Sequence, residues 1–89
     1  MEGRAHIWLG NLFTDDHAFP EAEKHLTEGL DILHRLGTRP DEALGCYFLS
    51  KHYRLRGDRE ASDEKRQIAL KMILDMKLYM DWILPHLEA

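Results

Sequence analysis

The chain has 89 residues, of which 44% are hydrophobic and 31% are charged, and its net charge is −4. This length allows one small domain with a modest core, and the composition excludes a disordered chain. The acidic balance argues against nucleic acid as a partner. No apolar run approaches the ~18 residues of a membrane span, and the single cysteine, Cys46, cannot form an internal disulfide. We therefore expect a cytoplasmic protein in which Cys46 is a buried apolar residue.

The first half of the chain contains two predicted helices. The first spans about residues 3–15, and its apolar residues recur at helical spacing: Ile7, Trp8, Leu9, Leu12 and Phe13. The second begins near Pro20, which suits a first turn, and stops at Gly37, which can adopt the conformation that ends a helix. The predicted inner stripe of this second helix comprises Ala22, Leu26, Gly29, Leu30, Leu33 and Leu36.

The second half repeats this organisation. A third helix opens near Pro40, with a predicted buried side made of Leu44, Tyr47, Phe48, Leu49, Tyr53 and Leu55. Gly57 and Asp58 form a corner, because glycine ends a helix readily and an aspartate caps the next one. A fourth helix is predicted from Arg59 to about Met76, with Ile68, Ala69, Met72, Ile73 and Met76 on its inner face.

These elements predict an all-α fold. We expect one domain over residues 1–89, built from two stacked antiparallel helix-turn-helix hairpins at about residues 3–37 and 41–77. Residues 79–89 are expected to form the start of a third helix pair or a capping helix. β-branched alternation is almost lacking, and the gaps between predicted helices have the length of turns.

The two hairpins are similar when the chain is shifted by 40 positions against itself. Apolar residues align with apolar residues along the helices, and small residues align at three places: Gly10 with Ser50, Ala22 with Ser62, and Gly29 with Ala69. Two helices approach closely only where side chains are small, so these positions are expected at the helix crossings. The complete predicted packing signature is Leu9, Gly10, Phe13, Ala22, Leu49, Ser50, Tyr53, Ser62 and Ala69.

This pattern resembles the tetratricopeptide repeat. The first copy contains "LGNLF" followed by a small–large–small series, and the second contains "LSKHY", the "GD" corner and a similar series. The spacing of 40 exceeds the family's usual value of about 34 residues, and it is similar to helical-repeat regions of large bacterial signalling proteins, such as ATP-binding transcription regulators and nucleotide cyclases. HEAT-type repeats have a compatible length, but the small-residue series favours the tetratricopeptide interpretation.

The resemblance implies a concave groove lined by the first helix of each hairpin, which holds a peptide or a protein partner. By position, the groove residues would be Arg4, Asn11, Tyr47, Lys51 and Arg54, with Ile7, Asp15, Leu44 and Leu55 beside them. The basic run Lys51, Arg54, Arg56 and Arg59 contrasts with the acidic total and favours an acidic partner. The competing interpretation is that Lys51 and Arg54 belong simply to a solvated helix face. We expect a module of a larger regulatory or signalling protein.

The alternative function is structural: a spacer, or a unit that self-associates into a homo-oligomer. Two hairpins are few for a repeat protein, and Trp82, Ile83 and Leu84 would expose apolar surface unless they were covered. These three residues are therefore a candidate interface.

Catalytic and metal chemistry are not predicted. The six histidines include no pair at the i, i+4 spacing that lets one helix hold a zinc ion, so they are interpreted as scattered surface residues. The chain has no phosphate-binding loop, and Ser50 and Ser62 occupy positions that suit small packing residues. We expect no enzyme activity, cofactor or metal, and the hypothesis of a small metal-binding protein is disfavoured.

Overall fold

The computed structural model describes the backbone of residues 2–88 and the side chains of residues 2–77. It contains four helices: α1 (Gly3–Asp15), α2 (Phe19–Leu36), α3 (Arg39–Arg56) and α4 (Arg59–Glu88). Helices α1 and α2 pair as one hairpin, α3 and α4 pair as a second, and α3 packs against both α1 and α2. No strand occurs within residues 2–88. The predicted all-α fold of two stacked hairpins is therefore confirmed.

The three turns between the helices share one backbone arrangement. His17, Gly37 and Gly57 all have positive φ. Gly37 and Gly57 are the C-caps of α2 and α3, and His17 lies one residue after Asp16, the C-cap of α1. The residue after each of them donates its N–H to a carbonyl five residues back: Ala18 to Phe13, Thr38 to Leu33, and Asp58 to Tyr53. These bonds satisfy carbonyls that would otherwise lack a partner at the end of a helix. The turns thus recur every 20 residues, at 17, 37 and 57, which halves the 40-residue period of the sequence.

The starts of the helices follow the same 20-residue interval. Helices α2, α3 and α4 begin at Phe19, Arg39 and Arg59, with proline inside the first turn of α2 and of α3. Asp58 accepts a bond from the backbone N–H of Ala61 at 3.1 Å, as its place in the corner predicted.

The fourth helix was predicted to end near Met76, and this boundary is wrong. Helix α4 continues without interruption to Glu88. The 20-residue interval would place the next turn at position 77, which is lysine and not glycine. No glycine or proline lies between Gly57 and Pro85, so nothing in the local sequence stops the helix there.

The core consists of two clusters joined through Leu30. One cluster comprises Ile7, Leu26, Leu33, Phe48 and Leu49, and lies between the hairpins. The other comprises Ala43, Cys46, Ala69 and Met72, and lies between α3 and α4. Full burial of a side chain such as Leu26 contributes about 2 kcal/mol to the free energy of unfolding.

As predicted, Cys46 is buried, and its burial raises the pKa of the thiol, which disfavours the thiolate.

Five apolar residues predicted on inner or buried faces are instead exposed: Leu36, Tyr47, Leu55, Ile68 and Ile73. Trp8 and Leu12, which recur at helical spacing along α1, are exposed as well. Each belongs to an apolar stripe that is wider than the strip of helix surface covered by a neighbour. Helix α4 shows the reason most clearly, because α3 is the helix that packs on it and covers only one side.

Candidate functional site

Lys51 connects the two hairpins across the face formed by α1 and α3. Its Nζ lies 2.6 Å from Oδ1 of Asp15 and donates to Oδ1 of Asn11 at 3.2 Å. Three residues predicted along the groove therefore lie together, but they contact one another. Because the charge of Lys51 is already neutralised within the chain, it is a weaker anchor for an acidic partner than its position in the sequence indicated.

Arg4 is also engaged within the chain. Its Nη2 and Nε approach Oδ2 of Asp41 at 3.0 and 3.3 Å, so the ion pair joins the start of α1 to the start of α3. Ile7, which was placed beside the groove, is fully buried, and this placement is wrong. An added Cβ on Gly29 or on Gly45 would fall 2.8 or 3.2 Å from Cγ2 of Ile7, so the residue lies against the backbones of α2 and α3.

Tyr47 and Arg54 are the predicted groove residues that remain open to solvent. Tyr47 is 52% exposed, and Arg54 makes no ion pair with any residue among 2–77. Both line a small cleft of about 100 Å³ between α3 and α4. A larger recess of about 330 Å³ adjoins this cleft and adds Arg59 to the lining. The two share Arg54, Ser62 and Asp63, and we call them together the α3–α4 cleft.

The basic run predicted as one surface divides into paired and unpaired charges. Lys51 is paired with Asp15, and Nη1 of Arg56 lies 3.1 Å from Oε2 of Glu23. Arg54 and Arg59 keep their guanidinium groups free of ion pairs within residues 2–77. At the cleft edge, Arg66 and Asp63 form a looser pair at 3.5 Å, so the net positive charge of the cleft rests mainly on Arg54 and Arg59.

The floor of the cleft is formed by two buried serines. The hydroxyl of Ser50 donates to the carbonyl of Ser62 at 2.9 Å, and the hydroxyl of Ser62 donates to the carbonyl of Ser50 at 2.8 Å. Each hydroxyl also lies 3.2 Å from the other. Both side chains are therefore occupied in holding α3 against α4.

The remaining packing-signature residues lie at the crossings or beside them. Gly10 faces α2, where an added Cβ would fall 2.6 Å from Cγ of Leu26 and 3.1 Å from the carbonyl oxygen of Ala22. Ala22, Leu49 and Ala69 are buried. Leu9, Phe13 and Tyr53 are half-buried. The two helices of the first hairpin therefore cross at Gly10 and Ala22, whereas those of the second cross at Ser50 and Ser62.

A polar network joins α2 to the C-terminal part of α3. Glu23 accepts a bond from the hydroxyl of Tyr53 at 3.2 Å and pairs with Arg56. His52 is fully buried beside this network, 3.8 Å from Oε2 of Glu23. Neither of its ring nitrogens has a hydrogen-bond partner among the described residues. Burial lowers the pKa of His52, partly opposed by the Glu23 carboxylate, so the neutral imidazole is favoured.

Of the histidines whose side chains the structure describes, His17 and His34 are exposed as predicted, whereas His6, His25 and His52 are not. His52 is buried, whereas His6, on α1, meets His25 and Glu28, on α2. Residue spacing within one helix does not indicate the whole group, because its members come from two helices. A signal was present: His25 and Glu28 have the i, i+3 spacing of neighbours on one helix face.

The candidate interface Trp82, Ile83 and Leu84 lies outside the residues whose side chains the structure describes. Among the helices that are described, none is both long enough and apolar enough to cross a lipid bilayer.

Comparisons with protein-family models, with curated proteins and with solved structures found no match to this chain.

Proposed function

We propose that this chain is a protein-interaction module, related in design to tetratricopeptide repeats, that binds an acidic segment of a partner protein. The α3–α4 cleft is the proposed binding surface. The observation that carries the proposal is the pair of guanidinium groups, Arg54 and Arg59, that line one recess without ion pairs to residues 2–77. Guanidinium groups bind carboxylates through two parallel hydrogen bonds.

Tyr47 supports the same assignment. It is a large aromatic residue that lines the cleft, is half exposed and lies two turns before Arg54 on the same face of α3. Tyrosine and arginine are enriched among the residues that dominate binding energy at protein interfaces. Because the cleft is small and open, it suits one or two acidic side chains of an extended segment. The module is proposed to act in the cytoplasm, as part of a larger regulatory protein.

The experiment measures the binding of a fluorescent oligoglutamate peptide by anisotropy at low salt, with oligolysine as the comparison peptide. We expect binding of oligoglutamate that weakens with added salt, since the contact is largely electrostatic. Arg54→Glu combined with Arg59→Glu should abolish binding while the helical circular dichroism is unchanged. Tyr47→Ala should weaken binding at unchanged net charge.

The matched control is Lys24→Glu combined with Arg39→Glu. Both residues are exposed and have no ion pair with residues 2–77, so the control changes the net charge by the same amount away from the cleft. Binding should survive in the control. If the two double variants lose affinity equally, the peptide senses only total charge and the cleft assignment is wrong.

A second candidate function is self-association through the outer face of α4. Leu70, Ile73 and Leu74 are all more than half exposed, and their i, i+3, i+4 spacing places them in one apolar stripe. Lys71 and Asp75 lie beside this stripe, symmetrically about Ile73. An antiparallel pairing of two α4 helices about Ile73 would bring Lys71 of one copy opposite Asp75 of the other.

Sedimentation velocity over a range of concentrations tests this second candidate. We expect a concentration-dependent dimer that Leu70→Glu with Leu74→Glu converts to a monomer. Leu12→Glu with Leu36→Glu is the control, because both leucines are exposed on other helices. A wild-type monomer at every concentration would exclude the self-association hypothesis.

A further inference from the structure

We propose that His6, His25 and Glu28 form a binding site for a divalent transition-metal ion of the zinc class, which fastens α1 to α2. His6 lies on α1, and His25 and Glu28 lie one turn apart on α2. The site is separate from the α3–α4 cleft and does not depend on the function proposed for that cleft.

The ligand atoms converge closely. Nδ1 of His6 lies 3.1 Å from Nδ1 of His25 and 3.9 Å from Oε2 of Glu28, and the three ligand atoms lie within 4.8 Å of one another. In a tetrahedral zinc site with Zn–N bonds of about 2.05 Å, two ligand nitrogens are about 3.3 Å apart. The two imidazole nitrogens are thus already near the required separation, and Oε2 of Glu28 must come closer to Nδ1 of His6 than its present 3.9 Å to complete the set.

The close helix crossing creates this arrangement. Gly3 faces Gly29 and Gly10 faces Ala22, so residue 6 lies opposite residues 25 and 26 in the antiparallel hairpin. An added Cβ on Gly29 would fall 2.9 Å from Cβ of His6, which shows how little space separates the helices there. The ring of Phe13 stacks on His25, with centroids 5.4 Å apart and an angle of 15° between planes, and this stacking holds the imidazole in place.

The donor set determines the class of metal. Two imidazole nitrogens and one carboxylate oxygen suit zinc and its neighbours cobalt and nickel, whereas calcium and magnesium prefer oxygen ligands alone. The side chain of His6 is 12% exposed and that of Glu28 is 48% exposed, so the site is shielded on one side and open on the other. The open side leaves room for a water molecule as the fourth ligand.

The competing explanation is a hydrogen bond between two neutral imidazoles, with one Nδ1–H donating to the other Nδ1. That bond accounts for the 3.1 Å contact but assigns no role to the nearby Glu28 carboxylate. The two explanations predict opposite results when metal is added.

The test titrates Zn²⁺ into the full chain, prepared without a histidine tag and dialysed against chelator, in a calorimeter. We expect one ion per chain and a rise in melting temperature on binding, since the ion binds the folded form. His25→Gln and Glu28→Gln should each abolish stoichiometric binding, and Co²⁺ should show the visible absorption of a four-coordinate site in the wild type alone.

The controls are His17→Gln and His34→Gln, which remove histidines outside the group. His34 also lies 3.1 Å from a carboxylate, that of Glu42, so it controls for simple His–Glu pairing. Glu28 is half exposed, so Glu28→Gln should fold and still test the site if the His25 variant unfolds. Circular dichroism without metal checks that both variants are folded. The proposal is overturned if Zn²⁺ does not bind stoichiometrically, or if binding persists in both ligand variants.

Discussion

Ser50 and Ser62 hold the second hairpin together by exchanging hydrogen bonds. Each hydroxyl donates to the backbone carbonyl of the other residue, at 2.9 and 2.8 Å, where α3 crosses α4. The small side chains let the helices approach, and the two bonds satisfy hydroxyls that are buried at the crossing. Close approach and polar satisfaction thus come from the same pair of residues.

Removing one hydroxyl should therefore destabilise the hairpin. We expect Ser62→Ala and Ser50→Ala each to lower the free energy of unfolding by about 1 kcal/mol in urea titrations. The double variant should cost close to the sum, because the two hydroxyls donate to different backbone carbonyls and share only the 3.2 Å contact between their oxygens. Thr27→Ala is the control, since Thr27 is exposed and bonds within its own helix to the carbonyl of Glu23. If neither serine change lowers the free energy of unfolding more than Thr27→Ala does, the reciprocal arrangement is contradicted.

Gly10→Ala should also destabilise the protein, although alanine is the better helix former. The added Cβ would fall 2.6 Å from Cγ of Leu26, which is fully buried and has little room to move. We expect a loss of about 1–3 kcal/mol from overpacking, against a propensity gain of about 1 kcal/mol. Ala22→Leu, at the same crossing, should cause a loss of the same order.

Leu12→Ala is the matched control for that crossing, because Leu12 lies on α1 but is 59% exposed. It should change the free energy of unfolding by less than about 0.5 kcal/mol. If Gly10→Ala instead stabilises the protein by the full propensity gain of about 1 kcal/mol in the same urea titration, α1 and α2 are farther apart than described.

His52 should make stability depend on pH. Burial lowers its folded-state pKa below the unfolded value of about 6.5, so the unfolded chain binds more protons between those two values. Above about pH 6.5, His52 is neutral in both the folded and the unfolded chain, and its contribution to the free energy of unfolding is fully present. This contribution is lost as the pH falls from there toward the folded-state pKa. Two charged groups face the ring: the Glu23 carboxylate raises the pKa of His52, and the Arg56 guanidinium lowers it.

His52→Leu removes this titration and also removes two buried nitrogens without hydrogen-bond partners among the described residues. We expect the variant to be as stable as the wild type or more stable at pH 7, by up to about 1 kcal/mol. Its free energy of unfolding should fall less than that of the wild type between pH 7 and pH 5. Parallel pH profiles from urea titrations would refute the assignment.

Glu23 should contribute to the contact between the hairpins. Its carboxylate on α2 accepts from Tyr53 and pairs with Arg56, both on α3. The side chain is 42% exposed, so we expect Glu23→Ala to cost only about 1 kcal/mol. Glu64→Ala, an exposed carboxylate without an ion pair to residues 2–77, should be neutral. Equal effects of the two variants in thermal melts would show that the Glu23 network adds nothing.

Local sequence signals were sufficient for the first three helices and for the turns between the helices. Gly37 and Gly57 end their helices in the left-handed conformation, and Asp58 caps the next helix, because these are properties of a residue and its close neighbours. The turn at His17 has the same backbone without a glycine, and the 20-residue interval became evident only when the three turns were compared. The predicted end of α4 near Met76 was wrong because the sequence has no glycine or proline there to stop the helix.

The sequence by itself determined that this chain is helical, where its first three turns lie and which small residues meet at crossings, because spacing and side-chain size act over short distances. The tertiary structure alone decided which charges are free. Lys51 and Arg56 have partners on other helices, whereas Arg54 and Arg59 have none within residues 2–77. It also decided that His6 meets His25 and Glu28, because ligands from two helices converge only once the packing sets their register.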